Sequence, residues 1–76
     1  MSEVEFMEIF GDNLRDLMEE VGVGQNELAR EIGVSNQTIS YYINKKRMPT
    51  FRSFVNICIA LECDMDDLVP MYDYIR

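Results

Sequence analysis

The chain is 76 residues long, carries a formal net charge of −7 and contains no histidine. This length predicts one domain, and the missing histidine removes the commonest general base and metal ligand, so the composition indicates a binding module without cofactor or metal rather than an enzyme. The longest apolar run, residues 57–61, is far too short to span a membrane, and the acidic N-terminus lacks a secretory signal pattern, so we expect a cytoplasmic protein.

The first predicted element is an amphipathic helix over about the first twenty residues. Apolar residues from Phe6 to Val21 recur at three- and four-residue intervals and form one stripe, while the opposite face is strongly acidic. Gly22 is expected to end this helix. Gly11, in its middle, lowers the local helix preference by about 1 kcal/mol relative to alanine, which predicts a weak point.

Two further helices are predicted over residues 25–32 and 36–44, joined only by residues 33–35. Gly33 suits the left-handed conformation that stops a helix, and Ser35 is a favourable N-cap for the next one. A connection this short sets two helices at a steep angle and is typical of a helix-turn-helix. In that geometry the second helix enters the major groove of DNA while the first crosses the phosphate backbone.

The third helix is predicted to present a polar outer face. It offers only Ile39, Ile43 and part of Tyr42 to the core, and Tyr42 is expected to be buried rather than to contact DNA. Asparagine and glutamine can present a paired donor and acceptor to adenine, worth about 1–3 kcal/mol of discrimination per bidentate contact. The outer positions are Asn36, Gln37, Ser40, Tyr41 and Asn44.

Charge is segregated along the chain. Between Ile32 and Leu61 there is no acid, whereas nine of the fourteen acids precede this window and five follow it. The window contains Arg52 and a basic loop that follows the third helix, formed by Lys45, Lys46 and Arg47. We therefore predict one surface that repels polyanions and another that accepts them, despite the negative net charge.

Two shorter elements complete the pattern. Thr50 is predicted to cap a mainly apolar fourth helix over residues 51–61, with Phe51 among its apolar positions. Asp64 is predicted to cap a short fifth helix that ends before Pro70.

Cys58 and Cys63 are five residues apart, a spacing that points two side chains of one helix to different sides. We expect two free thiols, with redox sensing as the alternative.

Together these residues resemble the lambda-repressor-like, Cro/repressor-type (XRE family) helix-turn-helix domains. The resemblance covers about residues 9–69 and implies an all-α, compact five-helix domain over residues 1–76, with the helix-turn-helix at helices 2 and 3 and an apolar C-terminal extension over 70–76. It rests on the segments Leu14-Arg15, Gln25–Ala29, Ile32–Ser35, Thr38–Ser40, Lys46–Pro49 and Leu61–Leu68.

Carried over position by position, the resemblance implies two groups of DNA contacts. The residues implied to contact base edges are Asn36, Gln37, Ser40 and Tyr41. The residues implied to contact the DNA backbone are Gln25, Thr38, Asn44, Lys45, Lys46 and Arg47.

The chain departs from the family pattern at two positions. Family members often have glutamate where Ile43 stands, so either a charged contact within the domain is lost or Ile43 packs inward instead. They often have glycine where Lys45 stands, which predicts a different loop path or a modest strain energy.

The resemblance implies a sequence-specific transcriptional regulator of double-stranded DNA, more often a repressor, encoded by a bacterium or phage and associated with the nucleoid when bound. Four basic groups per chain are few, but two chains could neutralise about six to ten phosphates, which predicts a homodimer on a twofold-symmetric operator. The apolar residues near the C-terminus are expected to form the dimer surface or, alternatively, to fold back over the first helix as a lid: Val69, Met71, Tyr72, Tyr74 and Ile75.

A different function remains open on the same scaffold. The acidic face of the first helix could bind a basic protein partner, as in an antitoxin-like or anti-repressor protein. A DNA-binding antitoxin would combine the two functions.

Overall fold

The computed structural model describes residues 1–70, and every regular element in that part of the chain is an α-helix. The predicted all-α, five-helix architecture is confirmed. None of the helices within this range is long and apolar enough to cross a bilayer. The helices are α1 (Glu3–Val21), α2 (Gln25–Ile32), α3 (Asn36–Ile43), α4 (Phe51–Leu61) and α5 (Met65–Leu68).

Local hydrogen bonds set the ends of α1. The hydroxyl of Ser2 accepts from the backbone N–H of Glu5 at 3.1 Å, and the Glu5 carboxylate accepts from the N–H of Ser2 at 3.3 Å. This capping box satisfies amide groups that have no partner within the helix. At the other end, Gly22 has a φ of 81° and its N–H donates to the Met18 carbonyl, so α1 stops where the sequence predicts.

The core lies between α1 and the helices packed around it. Its central aromatic residue is Phe10, whose ring centroid lies 5.6 Å from that of Tyr42 in an edge-on arrangement and 5.6 Å from that of Phe54. Such pairs contribute about 0.5–1.5 kcal/mol beyond the area that they bury. Tyr42 is buried, as predicted. The fully buried large side chains are Phe10, Leu14, Leu28, Ile39, Ile57, Leu68 and Val69.

Two apolar residues lie outside the core, contrary to the helical patterns that included them. Val21 is 49% exposed because it is the last residue of α1, and Phe51 is 74% exposed because it is the first residue of α4. A terminal turn can extend past the helices against which the rest of its element packs. Phe51 instead lines an open apolar groove together with Phe6, Phe54 and Met65.

Gly11 has a packing role in the centre of α1. It is buried where α1 meets the C-terminal end of α3. A Cβ atom at this position would lie 2.7 Å from the Tyr42 carbonyl oxygen and 3.1 Å from that of Ile43. Because real Cβ atoms do not approach backbone oxygens so closely, the missing side chain permits the contact between the two helices.

The two cysteines lie close together, Cys58 in the last turn of α4 and Cys63 just after its end. Glu62 adopts a left-handed conformation with a φ of 52°, and the N–H of Cys63 donates to the Cys58 carbonyl at 3.0 Å. The two side chains are therefore not directed to different sides as predicted, because the helix ends between them. Both are free in the structure, and burial raises the pKa of both thiols, that of Cys63 to about 12.

Replacing Gly11 with alanine tests the close contact between α1 and α3. In an unobstructed helix interior this change stabilises by about 1 kcal/mol. Here we expect it to lower the free energy of unfolding by about 1–3 kcal/mol, because the added methyl group overlaps the Tyr42 carbonyl.

Urea denaturation followed by circular dichroism measures this difference. Gly24→Ala is the matched control, since Gly24 has open space around its Cβ position and a φ of −84° that any residue adopts. A Gly11→Ala variant as stable as the wild type would contradict the packing role.

Candidate nucleic-acid interface

The turn between α2 and α3 is built from local hydrogen bonds. Gly33 has a φ of 74°, and the next N–H, that of Val34, donates to the Ala29 carbonyl at 2.9 Å. Ser35 then caps α3, because its hydroxyl accepts from the Thr38 N–H at 3.1 Å. This arrangement directs α3 away from α2 within three residues, as the predicted helix-turn-helix requires.

The outer face of α3 presents two exposed amide side chains. Asn36 and Gln37, at the start of the helix, are exposed, and within the described residues neither side chain makes a hydrogen bond to the protein. The opposite face is anchored by Ile39 and Tyr42, which are buried. The donors and acceptors of Asn36 and Gln37 are therefore free for a ligand.

Three other polar residues, two in α3 and one at its C-cap, already have partners. The Thr38 hydroxyl lies 2.9 Å from the Ser35 hydroxyl, at the cap. The Asn44 side-chain amide donates to the Ser40 carbonyl at 2.9 Å and to the Ser40 hydroxyl at 3.2 Å. A contact from Thr38, Ser40 or Asn44 to DNA would thus share or replace a hydrogen bond within the helix.

The basic loop is folded against the end of α3. The Lys46 N–H donates to the Tyr41 carbonyl at 2.8 Å, and the Arg47 guanidinium lies 4.9 Å from the centre of the Tyr41 ring. This cation–π contact contributes about 0.5–1 kcal/mol at an exposed site and orients Arg47 beside the outer face of α3. Lys46 and Arg47 form no ion pair with any residue of the described range.

Lys45 differs from its basic neighbours because it is paired with an acid of α1. Its ammonium lies 2.9 Å from Asp12 Oδ1, and Arg15 lies 3.6 Å from the same oxygen. The hydrogen bond from Lys45 is the main cause that lowers the pKa of Asp12 below its usual value of 3.8. The sequence pattern does not predict Asp12 as part of the site, since no local motif links it to Lys45.

Both departures from the family pattern now have structural counterparts. Ile43 is partly buried and packs against the core, so an apolar contact stands where family members often have an acid. Lys45 has a φ of 63°, the left-handed conformation that glycine adopts most easily, which agrees with the predicted strain. The Asp12–Lys45 pair provides a charged contact between α1 and the turn after α3.

Gln25 lies apart from α3 but at the start of the helix that precedes it. It is exposed as the first residue of α2, and the N-cap, Gly24, provides no side-chain hydrogen bond. The amide groups of this first turn are therefore uncapped by the protein, an arrangement that suits a phosphate oxygen.

The residues predicted for the dimer surface are only partly described. Val69 is completely buried where α5 packs on α1, so its side chain has no surface to offer to a second chain and fits the alternative, a lid over the first helix. The Asn13 side chain donates to the Leu68 carbonyl at 2.8 Å at this contact. The other four predicted residues lie outside the described range: Met71, Tyr72, Tyr74 and Ile75.

No group of three or more candidate metal ligands occurs within residues 1–70.

Comparisons with known proteins point to one family. Residues 14–68 match the family model described as HTH_3: Helix-turn-helix, a range that includes the turn, α3 and the basic loop. No curated protein is significantly similar to the chain in sequence.

Three solved structures share the fold. An HTH_3 family transcriptional regulator from Vibrio cholerae is 20% identical with a TM-score of 0.82; the match covers 92% of this chain but only 39% of that protein. The restriction-modification controller protein C.AhdI from Aeromonas hydrophila is 22% identical, with a TM-score of 0.77 and coverage of 82% and 94%. The SOS-response transcriptional repressor LexA from Eubacterium rectale is 25% identical, with a TM-score of 0.81 and coverage of 91% and 73%.

Removal of the Ser35 hydroxyl tests how α3 is capped. We expect Ser35→Ala to lower the free energy of unfolding by about 1 kcal/mol, because the Thr38 N–H loses its side-chain acceptor and keeps only the Ser35 carbonyl. Thermal and urea unfolding measure the change. Ser53→Ala removes the same group inside α4, where the hydroxyl caps no helix, and should alter stability by less than about 0.5 kcal/mol. Equal effects of the two changes would contradict the capping role.

Proposed function

The chain belongs to the HTH_3 helix-turn-helix family, and from this premise we propose that it is a sequence-specific transcriptional regulator of double-stranded DNA. One observation carries the proposal. The exposed face of α3 begins with two unpaired amide side chains, Asn36 and Gln37, and is followed by the exposed basic residues Lys46 and Arg47. Sequence-specific DNA recognition requires side chains that are free to contact base edges and, beside them, groups that bind phosphates.

In the proposed complex α3 lies in the major groove. Asn36 and Gln37 contact base edges, where each amide can pair with an adenine. The face contains no arginine, which disfavours a strongly guanine-directed site. Ser40 and Tyr41, one turn later, contact bases or the adjacent sugars.

The phosphate contacts flank α3 on both sides. Gln25 and the uncapped amides of α2 bind one phosphate, as helix N-termini commonly do. Lys46 and Arg47 bind others beyond the end of α3, with Arg47 held in place by the Tyr41 ring. Thr38, Asn44 and Lys45 are the remaining residues proposed to contact the DNA backbone. Each already has a partner within the protein, which a phosphate must replace or share.

One chain has few positive charges with which to bind phosphates, and two chains on one operator double that number. Half-sites about one helical turn apart would allow a twofold-symmetric pair to place both α3 helices in successive major grooves. The proposed contact surface is the apolar segment 71–75, without Val69. We further propose repression as the regulatory outcome, supported by the similarity to the LexA repressor of Eubacterium rectale.

The rival proposal is a protein-interaction module that uses the acidic face of α1. Exposed acids on that helix favour it, among them Glu8, Asp16 and Glu19. A basic partner bound there would not depend on Lys46 or Arg47, so the two functions are separable by substitution.

Selection from a randomised duplex pool, followed by sequencing of the bound fraction, tests the DNA-binding proposal. We expect an enriched, roughly palindromic motif whose affinity falls about 10³–10⁵-fold between 50 and 200 mM salt. Lys46→Ala should weaken binding to all sequences and reduce the salt slope by about 1. Arg30→Ala, which removes the same charge from the last turn of α2, is the control and should have little effect.

A lack of binding to any duplex at about 50 mM salt, where the phosphate contribution is large, would overturn the proposal for this chain. Capture of a basic protein partner that tolerates Lys46→Ala but not Asp16→Asn would then favour the rival.

Self-association is tested by sedimentation equilibrium over a range of protein concentrations. We expect a species of twice the 8.9 kDa chain mass. A variant that ends at Pro70 should sediment as a monomer while its circular dichroism spectrum stays helical, because it keeps every core residue of the described range 1–70. A dimer that survives this truncation would place the contact surface elsewhere.

A further inference from the structure

An acid of α1 lies at the edge of the proposed DNA-binding surface. Asp12 Oδ1 is 2.9 Å from the ammonium of Lys45, and their side chains are 47% and 37% exposed. Lys45 immediately precedes Lys46 and Arg47 in the basic loop. The carboxylate therefore accepts from one of the three N–H donors of the same ammonium that the proposed function assigns to a DNA phosphate.

The backbone around the pair holds it in place. Gly11 lets α1 approach the last carbonyls of α3, which brings the adjacent Asp12 beside the turn. The Lys45 side chain passes close to Gly11, since its Cγ would lie 3.0 Å from a Cβ atom there. Lys45 also keeps a φ of 63° that lysine adopts reluctantly. The pairing thus results from helix packing as well as from charge attraction.

We propose that Asp12 sets the DNA affinity of this protein by holding the Lys45 ammonium as an internal counter-charge, for which a DNA phosphate must compete. The inference rests on the proposed function and names a regulating residue of the same surface. The pair acts as a nearly neutral unit, so the loop presents two uncompensated positive charges, those of Lys46 and Arg47, instead of three.

The competition is partial rather than complete. Both partners are substantially exposed, and ion pairs of this kind are weak because water and salt screen them. A phosphate can therefore displace the carboxylate, but the displaced charge still repels the DNA. A unit charge about 4 Å away in water changes an equilibrium constant by about fivefold, which sets the expected scale.

Asp12→Asn is the direct test, with affinity measured on the selected duplex across a series of salt concentrations. We expect binding about fivefold tighter than the wild type. The slope of log affinity against log salt should become steeper by about 0.9, the increment for one additional neutralised phosphate.

The matched control is Asp16→Asn, which changes the net charge by the same single unit. Asp16 lies one turn further along α1 and contacts Arg15 at 3.6 Å rather than the basic loop. Its substitution should alter affinity by less than about twofold, since a screened charge far from the phosphates acts weakly. A difference between the two variants thus reports the local pairing and not the net charge.

Lys45→Met completes a double-mutant cycle with Asp12→Asn. It removes the ammonium and keeps the aliphatic part of the side chain beside Gly11. It should weaken binding by up to about fivefold, since Asp12 then repels the DNA and, among the described residues, only Arg15, 3.6 Å from Asp12 Oδ1, offsets its charge. Combined with Asp12→Asn it should restore the wild-type salt slope. Thermal unfolding of each variant verifies that the fold is unchanged.

The outcomes separate the inference from its premise. If Asp12→Asn and Asp16→Asn have the same effect, or if Asp12→Asn weakens binding, the inference is overturned while DNA binding stands. Weaker binding would mean that Asp12 positions Lys45 for its phosphate. If no variant binds any duplex, the proposed function fails, and the inference fails with it.

Discussion

Three consecutive residues of α1 contact the last turn of α3 and the start of the basic loop that follows it. Phe10 packs its ring against the edge of Tyr42, Gly11 lies against the carbonyl oxygens of Tyr42 and Ile43, and the Asp12 carboxylate binds the Lys45 ammonium. Aromatic packing, close backbone approach and an ion pair thus act on one short segment. The orientation of α3, and with it the surface proposed to bind DNA, depends on this contact.

The length of α3 explains why the contact matters. With eight residues it is shorter than the about 12–15 residues that an isolated helix needs to be marginally stable in water. Its own sequence contributes a cap at Ser35 and two buried anchors, Ile39 and Tyr42. The rest of its stability must come from the helices packed behind it. The outer face can consequently remain polar and unpaired, because within residues 1–70 the side chains of Asn36 and Gln37 make no hydrogen bond to the protein.

Charge placement reconciles an acidic protein with a proposed polyanionic ligand. The net charge of −7 would repel DNA if it were spread evenly, but the acids lie outside the window that forms α3, the basic loop and α4. Screening over about 8–10 Å at physiological salt separates the two surfaces electrostatically. Asp12 is the exception, since packing brings it to the boundary. Through Asp12, α1 contributes a negative charge at the edge of the basic surface and also supports that surface structurally.

The sequence by itself determined the helices, their ends and the turn, because caps such as Ser35 and stops such as Gly22 and Gly33 act through hydrogen bonds spanning three to five residues. It also located the polar face of α3 and the basic loop. Only the tertiary structure decided that Phe51 is exposed, that Gly11 permits a helix contact, and which acid pairs with Lys45. Those outcomes depend on residues distant in the chain meeting at a particular distance and angle. Helical periodicity describes one element at a time and contains no information about its neighbour.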